Sequence, residues 1–165
     1  MKDMVLTGTF IEFDNFFRNA TKLLQVEFPI RETNIRTYLI KVFSGCTKLH
    51  TITNLDKFTD MISFFNAFEN CASLITITLP KGTNQTASLV DFGYTFSGCT
   101  SLQKITNLDQ FINVRRLLGT FYNCSSLLSI TLPPGTTSTS EVSIQSAFRG
   151  CKSLQKITNL DKFTK

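Results

Sequence analysis

Six times along this chain a phenylalanine is followed three residues later by a small residue, and a leucine stands three further on. The copies are Phe17-Ala20-Leu23, Phe43-Cys46-Leu49, Phe68-Cys71-Leu74, Phe96-Cys99-Leu102, Phe121-Cys124-Leu127 and Phe148-Cys151-Leu154. Their central positions lie 26, 25, 28, 25 and 27 residues apart. A period in the twenties running from end to end restricts the chain to a stacked solenoid. Each rung can bury its apolar face only against its neighbours.

Counting from the small residue as position 0, Leu stands at +3 and a β-branched residue at +6: Val26, Ile52, Ile77, Ile105, Ile130 and Ile157. Polar residues flank it at +5 and +7, the alternation of a half-buried strand. Stacked copies should form a parallel sheet with strands about 4.8 Å apart. The rungs then alternate in kind. One kind ends its strand on an apolar residue and proline (Phe28-Pro29, Leu79-Pro80, Leu132-Pro133), and the other reads Asn-Leu-Asp from Asn54, Asn107 and Asn159. Proline cannot donate to a ladder and marks the strand's end. Asn can satisfy backbone groups at a bend, and Asp suits a turn or a helix cap. The repeating unit is therefore a pair of rungs.

Position −1 alternates too: Asn19, Gly45, Asn70, Gly98, Asn123, Gly150. Asn and Gly share a tolerance of positive φ, which predicts a left-handed residue there, closing a helical turn begun near the Phe. The connections after proline carry polar tracts at 81–88 and 135–140 and should loop outward. The shorter, more apolar segments lead from Phe58 to Phe68 and from Phe111 to Phe121. At the start, Ile11, Phe13 and Phe17 align with Ile62, Phe64 and Phe68, which sets Met1 level with Ile52.

The five cysteines sit in the repeat register without Cys-x-x-Cys spacing, and Ala20 replaces one of them. They read as an interior stack of small apolar residues, not as disulfides or a metal site. The phenylalanines of the same register read as a core spine. His50 stands alone, and no phosphate loop, paired carboxylates or nucleophile with a base occurs, so neither catalysis nor a cofactor is expected. The net charge of +5 comes from cations spread along the chain, with Arg115-Arg116 the single basic pair. Nucleic-acid binding is not expected from so dispersed a charge. No apolar run reaches the roughly 18 residues of a membrane span, and the first residues lack the pattern of a secretory signal.

The strings Ala67–Pro80 (AFENCASLITITLP) and Thr120–Pro133 (TFYNCSSLLSITLP) resemble the BspA-type leucine-rich repeat. The resemblance implies a leucine-rich-repeat solenoid, right-handed and gently curved, with short parallel strands on one face and helical or 3-10 turns. The count of about six rungs comes from this chain's own repeats, and their alternating pairs with Asn-Leu-Asp depart from the family's pattern. Residues 1–165 would form a single array, with 1–16 a degenerate first rung or cap and 17–165 the repeats, as a segment of a longer array. It also implies the setting of surface or secreted proteins in adhesion or partner binding, without catalytic residues.

The outward strand positions then make the candidate ligand face: Thr51, Thr53, Thr76, Thr78, Lys104, Thr106, Ser129, Thr131, Lys156 and Thr158. Regular stacking would set Lys104 and Lys156 about 9.6 Å apart. That is close to the Debye length, so both can stay charged and attract an acidic protein surface or glycan. Three other readings compete. Threonine fits exposed strands without any ligand. The Thr-x-Thr form on a flat sheet would suit ice. A structural spacer or assembly element of a larger surface or virion-like protein would meet its neighbours end to end, through terminal rungs that lack polar caps.

Overall fold

The computed structural model describes residues 13–29, 37–59, 61–81, 90–134 and 142–163, together with the backbone of 3–5. The polar tracts after the prolines lie almost wholly outside the described residues, as does Ile11. The strands are short: β1 (Asp3–Val5), β2 (Gln25–Glu27), β3 (Thr37–Tyr38), β4 (Thr51–Thr53), β5 (Met61–Ser63) and β6 (Thr76–Thr78). There follow β7 (Val90–Asp91), β8 (Lys104–Thr106), β9 (Val114–Arg116), β10 (Ser129–Thr131) and β11 (Lys156–Thr158). Every pairing between them is parallel.

The expected strand at +5 to +7 forms in all six rungs, and inward Val26, Ile77 and Ile130 are buried beneath outward polar neighbours. The continuous ladder does not form. The strands group as β1-β2-β4, β6-β8 and β10-β11, with breaks after β4 and after β8. The first strand also corrects the alignment of the N-terminus, because Met4, not Met1, stands level with Val26 and Ile52.

Asparagine explains where the breaks fall. Asn54, Asn107 and Asn159 are left-handed (φ 62, 68 and 65) and lead into the 3-10 turns Leu55–Lys57, Leu108–Gln110 and Leu160–Lys162. Their side chains do not cap those turns. Instead each amide donates to the carbonyl before the proline of the preceding rung: Asn54 to Phe28 at 2.9 Å, Asn107 to Leu79 at 2.9 Å, Asn159 to Leu132 at 3.0 Å. Asp56, Asp109 and Asp161 lie within the first turn instead of capping it. The amide tie runs only backward, so an Asn-Leu-Asp rung is locked to its predecessor and splays from its successor.

The same pairing governs position −1. All six residues there are left-handed, with φ between 59 and 81. A Cβ added to Gly45, Gly98 or Gly150 would run into the side-chain oxygen of Asn19, Asn70 or Asn123 in the preceding rung. Asn and Gly alternate because one fills the space that the other leaves.

A further left-handed register, not expected from composition, runs at position −5: Asn15, Lys41, Asn66, Tyr94, Gly119 and Ser146, with φ between 53 and 60. Between these corners the backbone uses its donors alternately. The N–H groups at −5, −3 and −1 donate to the next rung, as in Tyr94 to Leu118 (2.8 Å), Phe96 to Thr120 (2.9 Å) and Gly98 to Tyr122 (2.7 Å). Those at −4, −2 and 0 close turns within the rung, as in Cys99 to Phe96 (3.0 Å). The left-handed corners turn alternate N–H groups along the stack, so a buried backbone without strands is still satisfied.

Inside, the Phe spine stacks in parallel from Phe17 to Phe148, with ring centroids 5.3–6.0 Å apart and interplanar angles of 3–15°. Phe13, the buried neighbour of the first rung, meets Phe28 and Phe58 edge to face. The cysteine stack does more than fill space. Each thiol donates to the carbonyl of the Phe one rung back, at 2.9–3.2 Å, from Cys46–Phe17 to Cys151–Phe121.

The short apolar segments (β5, β9) alternate with the ends of the connections that follow the prolines (β3, β7) in a second sheet, β3-β5-β7-β9, that the repeat pattern does not announce. It carries register shifts at Ile62 and Arg115, each an extra residue facing one gap in the neighbouring strand. The solenoid thus has strands on two faces.

Candidate functional site

The strands of the first sheet position the ten candidate residues. Thr53, Thr76, Thr78, Lys104, Thr106, Ser129, Thr131 and Lys156 are exposed, while Thr51 and Thr158 are half-buried. Within a rung pair the rows align as expected, with Thr76 beside Lys104, Thr78 beside Thr106, Ser129 beside Lys156 and Thr131 beside Thr158. Across the breaks they do not. Lys104 and Lys156 stand on different sheet segments, so their separation is not set by strand spacing. Thr51 is engaged locally, its hydroxyl 2.8 Å from Nδ1 of exposed His50.

The break after β8 opens a cleft of about 490 Å³. Lys104 and Thr106 line one wall, Ser129 and Thr131 the other, and the Asn107-Leu108-Asp109 turn borders it. The structure therefore brings four of the ten candidates together and leaves the other six on the flanking sheet surface. Leu128, half exposed, adds an apolar edge. The sequence marks Asn107 and Asp109 only as bend, turn or cap residues. Their place beside the cleft follows from the backward tie of Asn107, which the repeated Asn-Leu-Asp string signals but does not orient.

The cysteines stay apart from this face. Burial pushes the Cys46 thiol up to about 11, partly offset by the backbone of Ala20. Burial likewise raises Cys71, Cys99, Cys124 and Cys151, with neighbouring thiols adding to the effect at Cys71, Cys99 and Cys124. All five are free thiols held in the protonated form that donates to the Phe carbonyls. Among the described residues no group of His, Cys, Asp and Glu is arranged to hold a metal ion, and no helix is long and apolar enough to cross a membrane.

Two rung types, a Phe-Cys-Leu interior and short parallel strands together define the repeat. The pattern of a BspA type leucine rich repeat region matches six copies here, over residues 11–116 and 66–165. The chain belongs to the BspA-type leucine-rich repeat family. Among solved structures, the crystal structure of a leucine rich repeat protein of T. pallidum superposes with a TM-score of 0.65, covering 96% of this chain and 69% of that one. At 24% identity that likeness speaks for the fold alone. No curated protein matches the chain. As a BspA-type array it is a repeat module.

Proposed function

We propose that this BspA-type array is a noncatalytic recognition or adhesion module of a surface or extracellular protein. In this reading it binds a protein or glycan bearing acidic groups on the Thr/Lys face of the first sheet. The cleft between β8 and β10 carries the reading, because Lys104 and three hydroxyl residues converge there, beside Asn107, Asp109 and the apolar edge of Leu128. Neither Lys104 nor Lys156 forms an ion pair among the described residues, which leaves their charge to an outside partner. A file of hydroxyls beside two cations suits a ligand of many hydrogen bonds and a few negative charges.

The test is surface plasmon resonance of the full chain over immobilised sialylated and sulfated glycans and a panel of extracellular proteins. The expectation is saturable binding to at least one surface, weakened about tenfold by the double variant K104E/K156E at unchanged melting temperature. Equal capture by both proteins would sink the reading.

A second reading, a structural spacer, draws on one observation. Phe148, Cys151, Leu154 and Ile157 of the last rung are only half-buried, whereas Phe121, Cys124 and Leu127 beneath them are 0% exposed. Such an end face fits another rung stacked upon it, from whichever chain supplies it. A spacer predicts no effect of the lysine variant on any capture.

A further inference from the structure

The second sheet holds a separate cleft of about 360 Å³, walled by Tyr38, Ile40, Ile62, Phe65 and the pair Arg115-Arg116. Neighbouring residues of a regular strand point to opposite faces. Arg115 and Arg116 nevertheless both reach the same carboxylate oxygen of Asp91, at 2.9 and 3.4 Å. The register shift between Val90 and Asp91 makes this possible, since Asp91 pairs with Arg116 and leaves Arg115 as the extra residue. Bulges of this kind re-aim side chains. A matching shift at Ile62 turns the opposite wall, because Tyr38 pairs with Ser63. Tyr38, Ser63, Asp91 and Arg116 thereby form one row across four strands.

With the extra residue Arg115 beside this row, the charges do not balance. Asp91 is buried, with its side chain 7% exposed, and its other oxygen accepts the Gly93 N–H at 2.8 Å. One carboxylate faces two guanidiniums, on side chains that remain 53% and 39% exposed. Each guanidinium has five N–H donors in a planar fork, and Asp91 uses only part of them. The result is a net positive, partly fixed donor set beside an apolar wall, with Tyr38 37% exposed at its rim.

That combination selects a chemistry. A sugar would bring many hydroxyls, yet the acceptors of this wall are largely taken: Asp91 accepts from Arg115, Arg116 and the Gly93 N–H, and Ser63 Oγ accepts the Phe65 N–H at 3.2 Å, leaving the Tyr38 hydroxyl at the rim. Ile40, Ile62 and Phe65 offer hydroxyls no partner, and unpaired polar groups are costly to bury. A carboxylate next to an apolar side chain leaves nothing unpaired. We propose that this cleft is a docking site for a peptide segment in which an acidic residue adjoins an aliphatic or aromatic one. In it the carboxylate takes the outward forks of Arg115 and Arg116, and the apolar side chain lies against Tyr38, Ile62 and Phe65. This site is distinct from the Thr/Lys face and does not depend on it.

The experiment is fluorescence anisotropy of the full chain with a set of fluorescein-labelled octapeptides, carrying Glu-Phe, Asp-Leu, Glu-Tyr or Asp-Ile at their centres. Each is paired with its Gln or Asn counterpart. The expected result is saturable binding to at least one acidic peptide, weaker by about tenfold for its amide partner, and weakened further by added salt. Arg115→Gln leaves Arg116 on Asp91 and so preserves the buried pair. It should weaken binding about tenfold, as should Tyr38→Ser from the other wall, while K104E/K156E should leave binding unchanged. Equal binding of acid and amide peptides would overturn the proposal. So would indifference to both Arg115→Gln and Tyr38→Ser, or no saturable binding of any peptide up to about 1 mM. Tighter binding of an oligogalacturonate than of every peptide would also overturn it, in favour of an acidic glycan.

Discussion

Gly98 sits at φ +75, and a Cβ on it would meet the side-chain oxygen and Cγ of Asn70 in the rung before. Two costs therefore add at this position: left-handed backbone for a β-branched residue, and a clash with a packed amide. Gly98→Val should destabilise the array by about 3 kcal/mol, read as a lower urea midpoint at unchanged slope. Asn70→Gly in the same chain should recover part of that loss, because it removes the clash and leaves the strain. The left-handed register at −1 was legible in the sequence, since only Asn and Gly occupy it. The register at −5 was not. Lys41, Tyr94 and Ser146 adopt φ values of 53–56, which their residue types do not announce. There the bonds to the next rung, such as Lys41 N–H to Phe65 at 3.0 Å, override local preference.

At the scale of elements, the pairing of rungs rests on a single recurring side chain. Asn107 holds the carbonyl of Leu79, while the Leu79 N–H donates to Thr106 at 3.0 Å and Pro80 has no N–H to give. Asn107→Gly keeps the left-handed corner and loses the amide, so its cost should be about 1–2 kcal/mol. Asn107→Ala loses both and should cost about 1 kcal/mol more. Chemical denaturation of the two variants separates the hydrogen bond from the backbone strain, and equal stability of both with the parent would refute the tie. The alternation of Pro and Asn-Leu-Asp showed that rungs come in pairs. It did not show that the pairs open a cleft between them, because the direction in which Asn107 reaches is a property of the folded stack. The second sheet was hidden for a related reason: strands of two or three residues leave too short an alternation to detect, and the bulges at Ile62 and Arg115 break even that.

For the molecule as a whole, pairing predicts which deletions the array tolerates. Removing residues 47–99 excises two rungs and leaves Asn19-Gly45 followed by Asn123-Gly150, with the proline and Asn-Leu-Asp strands still alternating. Removing residues 47–71 excises one rung, which sets Gly45 next to Gly98 and two proline strands side by side. The first variant should keep a single cooperative thermal transition, as expected where stability sums over neighbouring units. The second should melt lower and more broadly despite being longer. Calorimetry compares them directly, and a sharper transition in the second would contradict the paired unit.

The Phe-x-x-Cys-x-x-Leu beat determined the solenoid, its register and the Phe-Cys-Leu spine of its interior, because burial at a fixed period needs only composition and spacing to be read. Core residues such as Leu39, Phe64 and Phe92 lie outside that beat. The outward rows followed from the same alternation, so the ten candidate residues could be named in advance. What only the tertiary structure decided is which of them meet. The backward reach of three asparagines divides the sheet and gathers Lys104, Thr106, Ser129 and Thr131 at a cleft. The bulge at Arg115 likewise brings Arg115 and Arg116 onto one carboxylate. Both outcomes depend on hydrogen bonds between residues more than twenty positions apart, whose direction a linear pattern does not carry.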